Sequence, residues 1–222
     1  MSSSQTLFLS HVLSNDTIGY GGKKEFHNTS TLSIAKGDSC NQSEWRLCNH
    51  VGTHIDAPFH FSLEGKKIDS FDSSFWLFSK IHLVDLPTLE SCIINRDSWA
   101  DEIPMESDLL LIRTGFESKR NTESYWAHNP GLSPELGLWL REFRPKIRVI
   151  GFDFISITSY DHRALGKVAH NAFLHERHVG NPILAIEDMH LSELKCAPKK
   201  IFVAPLRVLD SDGAPVTVIA EI

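Results

Sequence analysis

The sequence has few cysteines, no excess of basic residues and no long apolar run. Its four cysteines form no CxxC pair, so reduced thiols in a cytoplasmic protein are expected. The net charge of −6 argues against a nucleic-acid-binding protein, since such proteins carry a clustered basic surface. No apolar run approaches the roughly 20 residues of a membrane span. Residues 1–5 also lack the basic start and apolar core of a signal peptide.

What is present is the composition of an ordinary globular protein. Of the 222 residues, 41% are hydrophobic and 23% are charged, which is enough apolar material for a substantial core. We see no internal repeat and no low-complexity linker. The sequence therefore predicts a single domain over residues 1–222.

One stretch, residues 50–61, concentrates groups that bind metals. Its even positions carry three histidines and an aspartate, and its odd positions are mainly apolar. An extended backbone sends alternate side chains to opposite faces, so His50, His54, Asp56 and His60 would share one face. Imidazole and carboxylate are the usual protein ligands of zinc and its first-row neighbours. A metal site or a catalytic site is therefore predicted here.

The backbone cannot run straight through this stretch. On an extended strand the α-carbons of His50 and His54 would lie about 13 Å apart, too far for two imidazoles to meet one ion at about 2.0–2.1 Å. Gly52 can adopt dihedral angles closed to other residues, and Pro58 interrupts regular structure. We predict a strand end that breaks at Gly52 and presents its ligands from a turn.

In the rest of the chain the sequence pattern predicts strands with two long helices between them. Ser133 and Pro134 form a helix start, with an N-cap serine and a proline in the first turn, and an apolar stripe continues to Phe143. A second helix is predicted over residues 163–178, and a loop over residues 121–129. Alternating or continuous apolar runs predict strands at 6–13, 29–35, 44–50, 76–86, 108–115, 148–153, 182–187, 200–209 and 216–222. The run at 108–115 suits a strand covered on both faces. An α/β layered domain is the fold class that this pattern indicates.

The pattern His50-x-Gly52-Thr53-His54-x-Asp56-x-Pro58-x-His60 resembles the signature of the cyclase-like metal-dependent hydrolases. That family includes bacterial kynurenine formamidase (arylformamidase) and isatin hydrolase. The resemblance continues at residues 111–115, 129–133 and 150–153. It implies a strand-rich swivelling β/β/α fold with helices packed outside, and a homodimer or homotetramer.

The resemblance also implies a complete ligand set. His50 and His54 would hold one metal, a helical histidine a second, and Asp56 and Glu187 would bridge both. The metals would be zinc, two per subunit, with manganese as the alternative. His170, His175 and His178 are candidates for the helical ligand. His175 has the family's separation of twelve residues from Glu187, and we therefore select it.

Two further roles follow from the resemblance. His60 occupies the position of the proton acceptor and donor. Tyr20 lies where relatives carry an aromatic residue that stacks on the substrate. In those relatives Pro-Gly-Asp commonly follows, whereas Gly21, Gly22 and Lys23 follow here. That departure concerns the substrate and not the metal chemistry.

Together these features predict a metal-dependent hydrolase of a C–N amide bond in a small molecule. The resemblance favours hydrolysis of N-formylkynurenine to kynurenine and formate through a metal-bound hydroxide. Ring opening of isatin or another cyclic amide or lactone is the alternative within the enzyme class. A metal-binding protein without catalysis is the alternative outside it.

Overall fold

The computed structural model describes residues 5–222, so part of the N-terminal segment, residues 1–4, lies outside it. Four α-helices are present in this range: α1 (Ser98–Asp101), α2 (Glu123–Ala127), α3 (Pro134–Phe143) and α4 (Arg163–Leu174). The strands are β1 (Thr6–Phe8), β2 (Phe26–Leu32), β3 (Gln42–Leu47), β4 (His54–Asp56), β5 (Leu77–Phe78), β6 (Ile81–Asp85), β7 (Ile93–Ile94), β8 (Leu109–Arg113), β9 (Gly131–Leu132), β10 (Val149–Phe152), β11 (Leu184–Glu187), β12 (Lys200–Pro205) and β13 (Gly213–Glu221).

A nine-stranded mixed sheet forms the centre of the molecule, in the order β5-β12-β13-β4-β11-β10-β8-β6, with β1 also paired to β13. The strands β6, β8, β10 and β11 run parallel to one another. The strand β4 is antiparallel to both β11 and β13. The short strand β4, which carries part of the histidine motif, therefore lies at the junction between the parallel and antiparallel halves.

The strands of the parallel half are covered on both faces, as the continuous apolar run at 108–115 predicts. In β8 the side chains of Leu110 and Ile112 pack into the core beneath α3 and α4. The alternate residues Leu109 and Leu111 pack into a second core on the other face. All four are fully buried. Burial on both faces fixes the parallel strands, and with them the strand ends that carry site residues.

The α/β fold class is confirmed, and most predicted elements are present with shorter or shifted bounds, although the strand predicted at 76–86 is two strands, β5 and β6. The helix α3 begins at Pro134, and the Ser133 hydroxyl accepts a hydrogen bond from the Leu136 N–H, as the N-cap reading requires. The loop predicted over residues 121–129 was wrong, because α2 lies within it. The second long helix also ends earlier than predicted, at Leu174. No helix within residues 5–222 has the length and apolar character needed to cross a bilayer.

Candidate active site

The histidine motif bends at Gly52, as predicted. Gly52 has φ of +66°, and a side chain there would place Cβ 2.4 Å from Leu13 Cδ2. Only glycine satisfies both the left-handed conformation and the close approach. His50 lies on the turn before Gly52, whereas His54 and Asp56 lie on β4 after it. A 3-10 turn, Pro58–His60, then carries His60 back over the same region.

The register of β4 against β11 brings the distant carboxylate to the motif. Glu187 is the direct antiparallel partner of His54. Both side chains are buried, with 3% and 4% of their surface exposed. The pairing of β4 with β11 thus brings together two residues, His54 and Glu187, that are 133 positions apart in the chain.

Two groups of ligand atoms share the Asp56 carboxylate. In the first, Asp56 Oδ1 lies 2.8 Å from His50 Nδ1 and 3.4 Å from His54 Nε2. In the second, Asp56 Oδ2 lies 3.7 Å from His170 Nε2, which in turn lies 3.6 Å from Glu187 Oε1. Within each group the ligand atoms lie within 4.8 Å of one another. The other oxygen of Glu187, Oε2, lies 3.4 Å from His54 Nε2.

Each imidazole is oriented by a hydrogen bond from its other ring nitrogen. His54 Nδ1 donates to the Gly52 carbonyl at 2.8 Å. His170 Nδ1 donates to the Gly166 carbonyl, one helical turn earlier, at 3.0 Å. His50 Nε2 donates to Asp212 Oδ2 at 2.9 Å. In all three rings the nitrogen that faces Asp56 is then the one that would bind a metal ion after losing its proton, which is how metal-ligating histidines are held.

The helical histidine of the cluster is His170, and the structure does not bring His175 into it. Because α4 ends at Leu174, His175 is the first residue outside the helix, where its Nδ1 accepts the Arg177 backbone N–H at 3.1 Å. His170 lies inside the helix and is 5% exposed. The choice of His175 rested on its spacing to Glu187, and the turns between α4 and β11 make that spacing longer. His178 also lies outside, against Asn171.

His60 is placed beside the cluster, and a residue that sequence reasoning missed holds it there. Its Nδ1 donates to Asp212 Oδ2 at 2.7 Å, so that Nε2 is the nitrogen free to exchange a proton. The same Asp212 oxygen also accepts from His50. In the sequence, residues 210–213 stand between the predicted strands 200–209 and 216–222, where only a turn is expected. No local pattern marks Asp212, because it reaches the site only through the pairing of the following strand, β13, with β4.

The cluster lies at the base of a cavity of about 320 Å³. Tyr20 is part of its wall, and its hydroxyl has no hydrogen-bond partner among residues 5–222. Burial raises the pKa of Tyr20 to about 12, so this hydroxyl stays protonated. The full lining is Tyr20, His50, His54, Asp56, His60, Phe61, Ile155, Ser156, Thr158, Arg163, Lys167, His170 and Glu187.

The histidines and carboxylates of the cluster shift one another's pKa values. Burial alone would raise the pKa of Asp56, but hydrogen bonds from His50 and His54 outweigh burial and hold that pKa well below its ordinary value. Burial would lower the pKa of His54, yet Asp56 and Glu187 raise it well above its ordinary value. The carboxylates are therefore charged, and they attract positive charge into the site.

This donor set fits metal ions. Two buried carboxylates so close together need a compensating positive charge, and three imidazole nitrogens face them. Nitrogen and oxygen ligands in this mixture suit zinc or a first-row neighbour. One ion would be held by His50, His54 and Asp56, and a second by Asp56, His170 and Glu187.

Comparison with known proteins found relatives over nearly the full length of the chain. Kynurenine formamidase of Bacillus thuringiensis (strain Al Hakam) is 29% identical over 219 residues, covering 97% of each chain. Kynurenine formamidase of Bacillus anthracis is also 29% identical over 219 residues.

Solved structures resemble the chain over its length. Isatin hydrolase A from Labrenzia aggregata has a TM-score of 0.76 at 20% identity and covers 98% of this chain and 93% of its own. A structure described as a "predicted metal-dependent hydrolase from Bacillus stearothermophilus" has a TM-score of 0.73 at 20% identity, covering 99% and 98%.

The model of the family described as "Putative cyclase" matches residues 7–159. That match spans the histidine motif and the sheet strands β4, β5, β6, β8 and β10, and the chain belongs to this cyclase family.

Proposed function

We propose that the protein is a metal-dependent hydrolase of C–N amide bonds that acts as an arylformamidase, converting N-formylkynurenine to kynurenine and formate. The observation that carries the proposal is the pair of ligand groups sharing Asp56, with His60 beside them at the base of an open cavity. Full-length similarity to kynurenine formamidases supports the choice of reaction.

The proposed cofactor is zinc, two ions per subunit, with manganese as the alternative. His50, His54 and Asp56 would hold one ion, and Asp56, His170 and Glu187 the other. When bound, such ions supply an acidified water and a positive charge near the oxygen on which negative charge develops.

His60 would move the proton that the reaction requires. Water adds to the formyl carbon, the C–N bond breaks, and the leaving nitrogen gains a proton. Because His60 Nδ1 is bonded to Asp212, its Nε2 is the atom that would accept a proton from the water and deliver it to nitrogen. Its side chain is 30% exposed, so it is reachable from the cavity.

The aromatic lining suits an aryl substrate. Tyr20 and Phe61 form parts of the wall near the ligands, and Tyr20 would contact the substrate ring. Ring opening of isatin is the second candidate, and the similarity of the fold to isatin hydrolase A favours its inclusion.

The proposed function extends to the location, the oligomeric state and the pathway of the enzyme. We propose a cytoplasmic homodimer or homotetramer that works in tryptophan catabolism, where N-formylkynurenine arises. Its partner is a small-molecule amide, and no nucleic acid or membrane takes part.

The test is the His60→Ala variant of the metal-loaded protein, assayed for formate release and for metal content. Turnover of N-formylkynurenine should fall by about 10²- to 10⁴-fold, the usual contribution of a general acid-base group, while the metal content stays constant. His27→Ala, on the exposed strand β2, is the matched control and should retain full turnover.

If the wild-type protein binds metal but hydrolyses neither N-formylkynurenine nor isatin nor any amide or lactone tested, a metal-binding protein without catalysis is the better description. Turnover of isatin without turnover of N-formylkynurenine would select the second candidate.

A further inference from the structure

Two cationic side chains share one face of α4 with the ligand His170. Arg163, Lys167 and His170 follow one another at intervals of four and three residues, which places them on the same side of a helix. All three line the cavity. Along the helix axis, Lys167 lies about 4.5 Å and Arg163 about 10.5 Å from His170. This side of the cavity wall thus carries two positive charges, that of Lys167 nearer to the metal ligand on the helix and that of Arg163 farther from it.

Neither cation is neutralised by the protein. Among residues 5–222, no carboxylate oxygen lies within 4.0 Å of the Lys167 ammonium or the Arg163 guanidinium, whereas Lys119 and Arg120 each have such a partner. Lys167 and Arg163 are both exposed. The Arg163 guanidinium lies over the Tyr160 ring, 4.9 Å from its centroid. That contact fixes one face of the guanidinium and leaves its N–H groups free to donate.

The carboxylates that line the same cavity do not form ion pairs with Lys167 or Arg163. Asp56 and Glu187 lie at its base and face the imidazoles of His50, His54 and His170. A ligand that enters the cavity therefore meets two free cations before it reaches the carboxylates. An anionic group on the ligand is the natural partner for free cations at this position, because charge-assisted hydrogen bonds to a carboxylate are stronger than neutral ones.

We propose that Lys167 and Arg163 form a subsite for a carboxylate of the substrate, and that the substrate class is aryl amides carrying a carboxylate several bonds from the scissile carbonyl. This inference rests on the proposed function, since it takes the scissile carbonyl to lie at the ligands of the cluster. N-Formylkynurenine has such a carboxylate, several bonds from its formyl group. Isatin has none. The subsite therefore separates the two candidate substrates.

The first experiment compares N-formylkynurenine with its carboxamide, which has the same shape without the negative charge. Formate release is measured for the metal-loaded wild type and for the Lys167→Met and Arg163→Met variants. In the wild type, kcat/KM should be at least about tenfold higher for the carboxylate substrate. Each variant should raise KM for that substrate by about five- to tenfold and reduce the preference for it, with kcat much less affected.

Two kinds of control make this result specific. The conservative variants Lys167→Arg and Arg163→Lys keep the charge and should restore the preference for the carboxylate. Arg177→Met removes a charge just beyond the end of α4 and outside this cavity, so it tests whether net charge alone matters. It should leave the preference unchanged. Equal kcat/KM for the carboxylate and the carboxamide in the wild type would overturn the proposal, as would an equal loss in Arg177→Met.

The second experiment does not depend on turnover. Binding of 4-oxo-4-phenylbutanoate, an aryl keto acid without an amide, and of its carboxamide is measured by calorimetry on the metal-loaded protein. The acid should bind more tightly than its carboxamide, and Lys167→Met should weaken binding of the acid by about five- to tenfold. If the acid binds in this Lys167-dependent manner but the protein hydrolyses no formamide, the subsite is supported and the proposed function is refuted. If the protein hydrolyses formamides but neither experiment depends on Lys167 or Arg163, the proposed function is supported and the subsite is refuted.

Discussion

The imidazole of His60 donates its Nδ1 proton to the carboxylate of Asp212 at 2.7 Å, across 152 positions of the chain. The two residues come from separate turns that meet only because β13 pairs with β4. Burial disfavours the charged form of Asp212, but hydrogen bonds from His50 and His60 outweigh it and hold the pKa of Asp212 below its ordinary value. Asp212 is therefore ionised, and it fixes the tautomer of His60.

Asp212→Asn should lower kcat for formamide hydrolysis by about 10- to 100-fold, the usual effect of removing a group that orients ligands and catalytic histidines. The assay is run with saturating metal, because Asp212 also holds His50. Asp210→Asn is the matched control: Asp210 lies in the same turn but pairs with Lys67 at the surface. A kcat for Asp212→Asn equal to that of Asp210→Asn would show that Asp212 has no role in the reaction.

His170→Gln should lose about one metal ion per subunit, whereas His175→Gln should keep full occupancy. The reason is geometric, since His170 Nε2 faces Asp56 and Glu187 and His175 lies beyond the helix end. Elemental analysis of the two purified variants measures the difference. Loss of metal in His175→Gln alone would mean that the spacing of the family motif is a better guide than this geometry.

Metal affinity should rise with pH and binding should release protons. Although burial lowers them, the pKa values of His54 and His170 in the metal-free site are raised overall by Asp56 and Glu187. At a pH below these raised values the rings carry protons that a metal must displace, so affinity falls as the pH falls. Calorimetry in buffers of different ionisation enthalpy counts the protons. A zinc affinity that is constant from mildly acidic to mildly basic pH would contradict this charge assignment.

Gly213→Ala should reduce both stability and metal binding. A methyl group there would lie 2.6 Å from His50 Cε1 and 2.9 Å from the Ile55 carbonyl oxygen. Overpacking of this kind costs about 1–3 kcal/mol of unfolding free energy, and the His50 ring must move. Gly19→Ala is the control, since its closest neighbour is the end of the Glu25 side chain at 3.2 Å. Denaturant unfolding and zinc titration should both distinguish the two variants.

Local features of the sequence predicted much of the site. The residue types of the motif, the bend at Gly52 and the helix start at Ser133 depend on neighbouring residues, and the structure agrees with each. The choice of His175 over His170 depended on where α4 ends and on the length of the connection to β11, which spacing alone does not reveal. Asp212 depended on the pairing of β13 with β4. Such pairing between distant strands leaves no local pattern.

The pairing of β13 with β4 has a consequence for synthesis of the protein. Asp212 and His50 are 162 positions apart, and β4 has a partner on only one side until β13 has been made. During translation His50 is made 162 positions before Asp212, so the two cannot meet until the later segment has been added. Assembly of the metal centre is therefore a late event that follows, and depends on, closure of long-range contacts, which are the slow part of folding.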